Sequence, residues 1–211
     1  VLTVDDDIDQ LLGPEVFLGV DGHTGEDGRL TVSAVAMNRE RLYAAVQCGG
    51  TDGLLRWLQR PARRQHVSIL GIAVDVTRAG ALIARDLEGA AFPVTRYDVR
   101  EMAAASHGFH VDLADHRFKC AQKPSRKDAL DEAVALARRK PLGDDTSERF
   151  VYTTYLRSND IAPLIALVLA NALAAMPVAE LFAVWDSPIG SQPDIQRVGG
   201  YTFPTWSTRD Q

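Results

Sequence analysis

Two apolar runs that each end on an aspartate constrain this chain more than any other feature: Val16-Phe17-Leu18-Gly19-Val20 closes on Asp21, and Val67-Ser68-Ile69-Leu70-Gly71-Ile72-Ala73-Val74 closes on Asp75. The second run is apolar almost throughout, the pattern of a strand covered on both faces. An aspartate at the edge of such a run is costly unless it is paired or liganded. A third, Asp160, opens the uncharged stretch 161–179. If the three converge, two carboxylates about 4 Å apart repel by roughly 4 kcal/mol at an effective dielectric near 20, and a bound cation removes that cost. Asp21, Asp75 and Asp160 are therefore the candidate catalytic and metal-binding residues. An all-oxygen set suits a hard divalent cation such as Mg²⁺ or Mn²⁺.

The uncharged stretch 161–179 raises the question of a membrane span. Pro163, Asn171 and Pro177, the abundance of alanine and the lack of flanking basic anchors favour a buried core helix instead. With 211 residues and 46% hydrophobic content the chain can build one sizeable core. Cys48 and Cys120 show no metal-ligand or disulfide spacing and are expected to be buried free thiols in a reducing cytoplasm. The start, with Asp5-Asp6-Asp7-Ile8-Asp9, reads as an acidic linker over 1–14, followed by a domain over 15–186 and a loop-rich tail over 187–211.

The first third reads as strands over 16–21, 30–37 and 42–48, with connections short enough to imply antiparallel pairing. The run 30–37 alternates like a half-buried strand. Thr51 is placed to cap a helix carrying Leu54, Leu55, Trp57 and Leu58. After the strand 67–74 come a helix over 79–88 and a strand over 93–97. Further helices are expected over 100–119 and 127–140, with Leu130, Val134 and Ala137 on one face of the latter, and a strand or hairpin over 148–157. Three antiparallel strands followed by alternating helices and parallel strands is the order of an α/β, ribonuclease H-like mixed sheet flanked by helices.

The net charge of −5 argues against indiscriminate polyanion binding, but basic residues gather at Arg56 to Arg64, Arg117 to Lys127 and Arg138-Arg139-Lys140. Each cluster is an ordinary solvated surface or part of a phosphate-facing stripe. His23 sits in the Gly-rich Asp21-Gly22-His23-Thr24-Gly25, either exposed or contacting phosphate. Arg78 either pairs with Asp75 or touches phosphate. Asp131 competes with Asp160 as third acid, although an exposed helix position explains it better. Asp160 also suits a helix N-cap. His107 and His110 lack a third ligand and read as surface histidines, and the tryptophans as packing residues.

At Val74-Asp75-Val76-Thr77-Arg78-Ala79-Gly80, Leu130-Asp131-Glu132-Ala133, Arg138-Arg139-Lys140-Pro141-Leu142-Gly143-Asp144 and Asp160-Ile161-Ala162-Pro163-Leu164, the chain resembles the C-terminal nuclease domain of large terminase subunits of tailed phages, particularly those of actinobacterial hosts. The resemblance spans roughly 17–175. It implies a two-metal endonuclease that cuts concatemeric double-stranded DNA during genome packaging. It also implies a motor ATPase domain, a portal and a small terminase subunit as partners, and a place in the cytoplasm of the infected cell rather than in the virion. Asp21, Asp75 and Asp160 then take the first-strand, fourth-strand and late-helix acid positions, and Arg138, Arg139 and Lys140 become candidate DNA contacts. The phosphate-cradling GxxxxGK[ST] loop of the motor is absent from these residues, so the expectation is the nuclease part alone. Two readings stand beside it. One takes Asp21 to Gly25 as the phosphate-binding turn of an actin-like or sugar-kinase nucleotide site; the other is a non-catalytic packaging assembly module.

Overall fold

The computed structural model describes residues 12–59, 68–77, 79–121, 129–143, 149–156, 158–177, 194–198 and 201–205. Strands β1 (Glu15–Thr24), β2 (Leu30–Met37) and β3 (Leu42–Cys48) form an antiparallel meander. Helix α1 (Gly50–Leu58) follows, then β4 (Ser68–Asp75), α2 (Gly80–Gly89), β5 (Val94–Tyr97) and α3 (Val99–Ala114). Strand β4 runs parallel to β1, β5 runs parallel to β4, and the two-residue β6 (Lys119–Cys120) lies parallel to β3. The result is a six-stranded mixed sheet in the order β5-β4-β1-β2-β3-β6. Then come α4 (Ala129–Leu136), the antiparallel pair β7 (Arg138–Pro141) and β8 (Phe150–Thr153), and α5 (Ala162–Ala175). This is the ribonuclease H-like mixed sheet that the element order predicts, with β1 at its centre.

Strand alternation divides the sheet into two faces. Val16, Leu18 and Val20 of β1, Val32, Ala34 and Ala36 of β2, and Ile72 and Val74 of β4 share a core with Leu54, Trp57 and Leu58 of α1 and Ile83, Ala84 and Leu87 of α2. Phe17, Gly19 and Asp21 point the other way, toward α5. At Gly19 the helix backbone comes so close that an added Cβ would collide with the Ala166 carbonyl and the Ala170 amide. Glycine on the strand and alanine on the helix are thus one device for close approach. Both faces of β2 are covered, so its half-buried reading is corrected: Ser33 through Met37 are all buried.

Helix α5 is buried on almost every side, which accounts for its lack of charge. Among the described residues no helix is long and apolar enough to cross a membrane. Its direction follows from one contact. Arg39, in the turn between β2 and β3, donates from Nη1 to the Met176 carbonyl just past the end of α5 at 2.8 Å. That turn lies at the start of β1, because Met37 pairs with Phe17. The beginning of α5 therefore lies over the opposite end of β1, where Asp21 stands.

A buried polar cluster fastens α3 to α5. Asp112 accepts from Arg117 Nη1 at 2.9 Å and from Asn171 Nδ2 at 3.0 Å, and lies 3.7 Å from Arg41 Nη2. Asn171 is thus an inward-facing member of α5, and Arg117 is committed to Asp112 and Asp115 rather than to a basic stripe.

Several local expectations need correction. Thr51 lies inside α1 and does not cap it; Gly49 holds the N-cap position and makes no side-chain bond. Helix α3 ends at Ala114, since His116 turns to a left-handed φ of 54° and the chain then enters β6. Its start is a capping box of Asp98 and Glu101. Helix α4 stops at Leu136, and Arg138-Arg139-Lys140 belong to a strand paired with β8. Leu130 and Ala133, not Val134, form its buried face, and Val134 is exposed. Cys120 is exposed because β6 is a short edge strand; the Cys48 side chain lies outside the described residues. Contacts divide the chain after Met176. The second unit, from Pro177, contains β9 (Asp194–Val198) paired antiparallel with β10 (Tyr201–Thr205), within the stretch expected to be loop-rich.

Candidate active site at the end of the sheet

Val20 and Val74 are paired across β1 and β4, so Asp21 and Asp75 are the next residues on two parallel neighbours. Adjacent strands lie about 4.8 Å apart and registered residues point to the same side. The alternation that sends Gly19 toward α5 sends Asp21 there too, and Asp75 follows Ala73 to the same face. Both carboxylates are withdrawn from solvent, Asp21 at 0% and Asp75 at 4% exposure. Two carboxylates on neighbouring strands at one level repel each other.

Asp75 is held by the turn that follows it. Its Oδ1 accepts from the Thr77 amide at 2.8 Å and from Thr77 Oγ1 at 2.6 Å. Helix α2 then starts against the same strand end, with Gly80 so close that an added Cβ would collide with the Asp75 carbonyl. Gly80 is required there for space, and Thr77 fixes the carboxylate. Neither residue stood out in the sequence as part of a site, although Asp-x-Thr is a recognisable local turn pattern.

Asp160 precedes α5 at the end of the helix that lies over the Asp21 end of β1. Its Oδ1 accepts from the Ala162 amide at 2.8 Å, so it satisfies one of the free amides of the first turn while Ile161 holds the N-cap position. The positive end of the helix dipole faces the same region, which offsets part of the carboxylate repulsion. Among the described residues no group of three or more His, Cys, Asp or Glu side chains is arranged to hold a metal ion. The structure thus brings Asp21 and Asp75 side by side and puts Asp160 at the same end of the sheet without closing a three-acid cage.

His23 belongs to β1, paired with Thr31, rather than to a loop; it is half-buried and shares the Asp21 face. Asp131 is exposed on α4. Arg78 lies outside the described residues. Arg138 and Lys140 are exposed on one side of β7, with the Arg138 guanidinium 3.3 Å above the Tyr155 ring centre. Arg139 is exposed as well. It stacks at 4.9 Å over Phe150 and approaches His110 at 2.9 Å, tying the β7–β8 pair to α3. Burial, then the positive Arg139, then His107 lower the His110 pKa.

The fold is similar to that of the large terminase nuclease from the thermophilic phage G20c, with a TM-score of 0.54 and 12% identity over 76% of this chain and 82% of that one. The same nuclease with bound magnesium matches equally. The HK97 bacteriophage large terminase is a more distant likeness, with a TM-score of 0.45 and 8% identity over 82% of this chain and 43% of that one. No protein-family model and no curated protein matches the sequence.

Proposed function

We propose that this chain is a metal-dependent endonuclease that cuts double-stranded DNA during phage genome packaging, the nuclease part of a large terminase. The observation that carries the proposal is the pair Asp21 and Asp75, buried at one level on one face at the end of a ribonuclease H-like sheet. The G20c nuclease that shares this fold has been seen with magnesium. The donor set here fits that ion, since Mg²⁺ is commonly bound by one or two carboxylates, keeping waters and substrate phosphate as its other ligands. A complete protein cage is not needed.

In this reading Asp21 on the central strand, its neighbour Asp75 and Asp160 at the start of α5 would hold the ions. When bound, such ions would supply activation of a water and stabilisation of the departing 3′ oxygen. The chain's own part is to fix the acids. Thr77 orients Asp75, and α5 seals Asp21 from solvent on the helix side. The start of α5 also presents a favourable field to the negative cluster and to an incoming phosphate. Arg138, Arg139 and Lys140 are exposed and meet the DNA backbone, and Arg139 also ties their strand to α3. A motor ATPase, a portal and a small terminase subunit are the partners that this role requires, in the host cytoplasm.

The test is conversion of supercoiled plasmid to nicked and linear forms. Cleavage should require Mn²⁺ or Mg²⁺, stop in EDTA, and be lost in Asp21→Asn. Cleavage that persists undiminished in EDTA would overturn the reading.

A further inference from the structure

We propose that Ser33 is a positioning residue for this site, donating its hydroxyl to the Asp21 carboxylate and fixing the direction in which that acid presents its second oxygen. The proposal rests on the reading of Asp21 as a site acid. Ser33 is the registered partner of Asp21 across β1 and β2. Val32 and Ala34, its neighbours along β2, belong to the core of the opposite face, so Ser33 stands on the α5 face with Asp21. In an antiparallel pair the Cβ atoms of registered residues lie about 4.5–5.5 Å apart, within reach of a serine hydroxyl and an aspartate oxygen.

Ser33 is 2% exposed, and its Oγ has no hydrogen-bond partner among the described residues. A buried hydroxyl in that condition is unfavourable, and alanine or valine would fill the position as well, as Val35 and Met37 do along the same row. A serine hydroxyl turns about χ1 to find its acceptor, and the acid across the strand is on its own face. On the other side Ser33 is registered with Gln47 of β3. A hydroxyl bond to one oxygen of Asp21 would orient the carboxylate, in the manner of outer partners that orient metal-binding acids.

The experiment compares Ser33→Ala, Ser33→Thr and Gln47→Ala with the parent chain, measuring Mn²⁺ affinity by electron paramagnetic resonance in the absence of DNA, then kcat and KM for plasmid cleavage. Ser33→Ala should weaken Mn²⁺ binding and lower kcat by about 10- to 100-fold with KM for DNA nearly unchanged. Ser33→Thr, which keeps the hydroxyl, should recover most of both, and Gln47→Ala should alter neither. Parental Mn²⁺ affinity and kcat in Ser33→Ala would overturn the proposal, as would a folded Ser33→Thr that recovers nothing. Should the parent itself neither bind Mn²⁺ nor cut, the functional reading fails, and the pairing is decided by a melting-temperature cycle of Ser33→Ala and Asp21→Ala. Shifts that fail to add support the contact, and shifts that add overturn it.

Discussion

Asp21 and Asp75 each follow one member of the pair Val20 and Val74, so two buried carboxylates leave neighbouring parallel strands at the same level and on the same face. That juxtaposition sets up a conflict between stability and function. Replacing Asp21 by asparagine keeps the shape and removes one of two like charges. In metal-free buffer the variant should melt a few degrees above the parent, while plasmid cleavage in Mn²⁺ falls to background. Parental cleavage by Asp21→Asn would show that the acid is not used.

Thr77 gives Asp75 Oδ1 both a hydroxyl and an amide bond. Thr77→Val removes the hydroxyl and keeps the β-branched shape and the amide. Cleavage should drop by about tenfold, the lower end of what outer partners of metal-binding acids contribute. A melting temperature close to the parent's would show that the loss comes from the site, and unchanged activity would mean that the amide alone orients Asp75.

The third acid is tested by comparing Asp160→Asn with Asp131→Asn in the plasmid assay. Asparagine can still accept the Ala162 amide at the start of α5, so the substitution changes charge with little effect on stability. Asp160→Asn should lose cleavage nearly completely, and Asp131→Asn, on an exposed helix face, should lose little. The reverse ranking would move the function to α4.

Gly19 lies against the backbone of α5 at Ala166 and Ala170. Gly19→Ala forces the helix off the central strand and should destabilise the fold by about 3 kcal/mol or more, at the upper end of overpacking costs, in urea denaturation. A loss within about 1 kcal/mol would show that the helix can retreat at little cost.

His110 supplies a pH dependence. Its pKa is lowered by burial and by Arg139, so the unfolded chain takes up the proton first as pH falls. The stabilisation it shares with Arg139 is therefore fully present above the ordinary histidine value near 6.5 and is lost as pH drops toward the lowered value. Hydrogen exchange at β7 and β8 should speed up over that window, and His110→Phe should flatten the response. An identical pH response in His110→Phe would remove this histidine from the docking of the strand pair.

Much of this architecture was legible in the sequence because its strongest signals are local. The unbroken run into Asp75 marks a doubly covered strand, and the uncharged stretch after Asp160 marks a core helix. What could not be read depends on pairing. The register that brings Asp21 level with Asp75 and opposite Ser33 leaves no mark along the chain, and Ser33 reads as an ordinary polar residue in a strand. The basic run at Arg138 continued the helical pattern of Leu130, so the change to a strand was hidden; only its pairing with Phe150–Thr153 decides it. Gly19 was visible as a small residue in an apolar run, but its reason, the approach of α5, is tertiary.

The central claim is that Asp21 and Asp75 form one cation site, and anomalous diffraction from a crystal of the chain soaked in Mn²⁺ tests it most directly. The account predicts an anomalous peak at the end of β1 and β4, about 2.1 Å from oxygens of both carboxylates. A map with no peak there, or with Mn²⁺ bound only elsewhere on the chain, would contradict it.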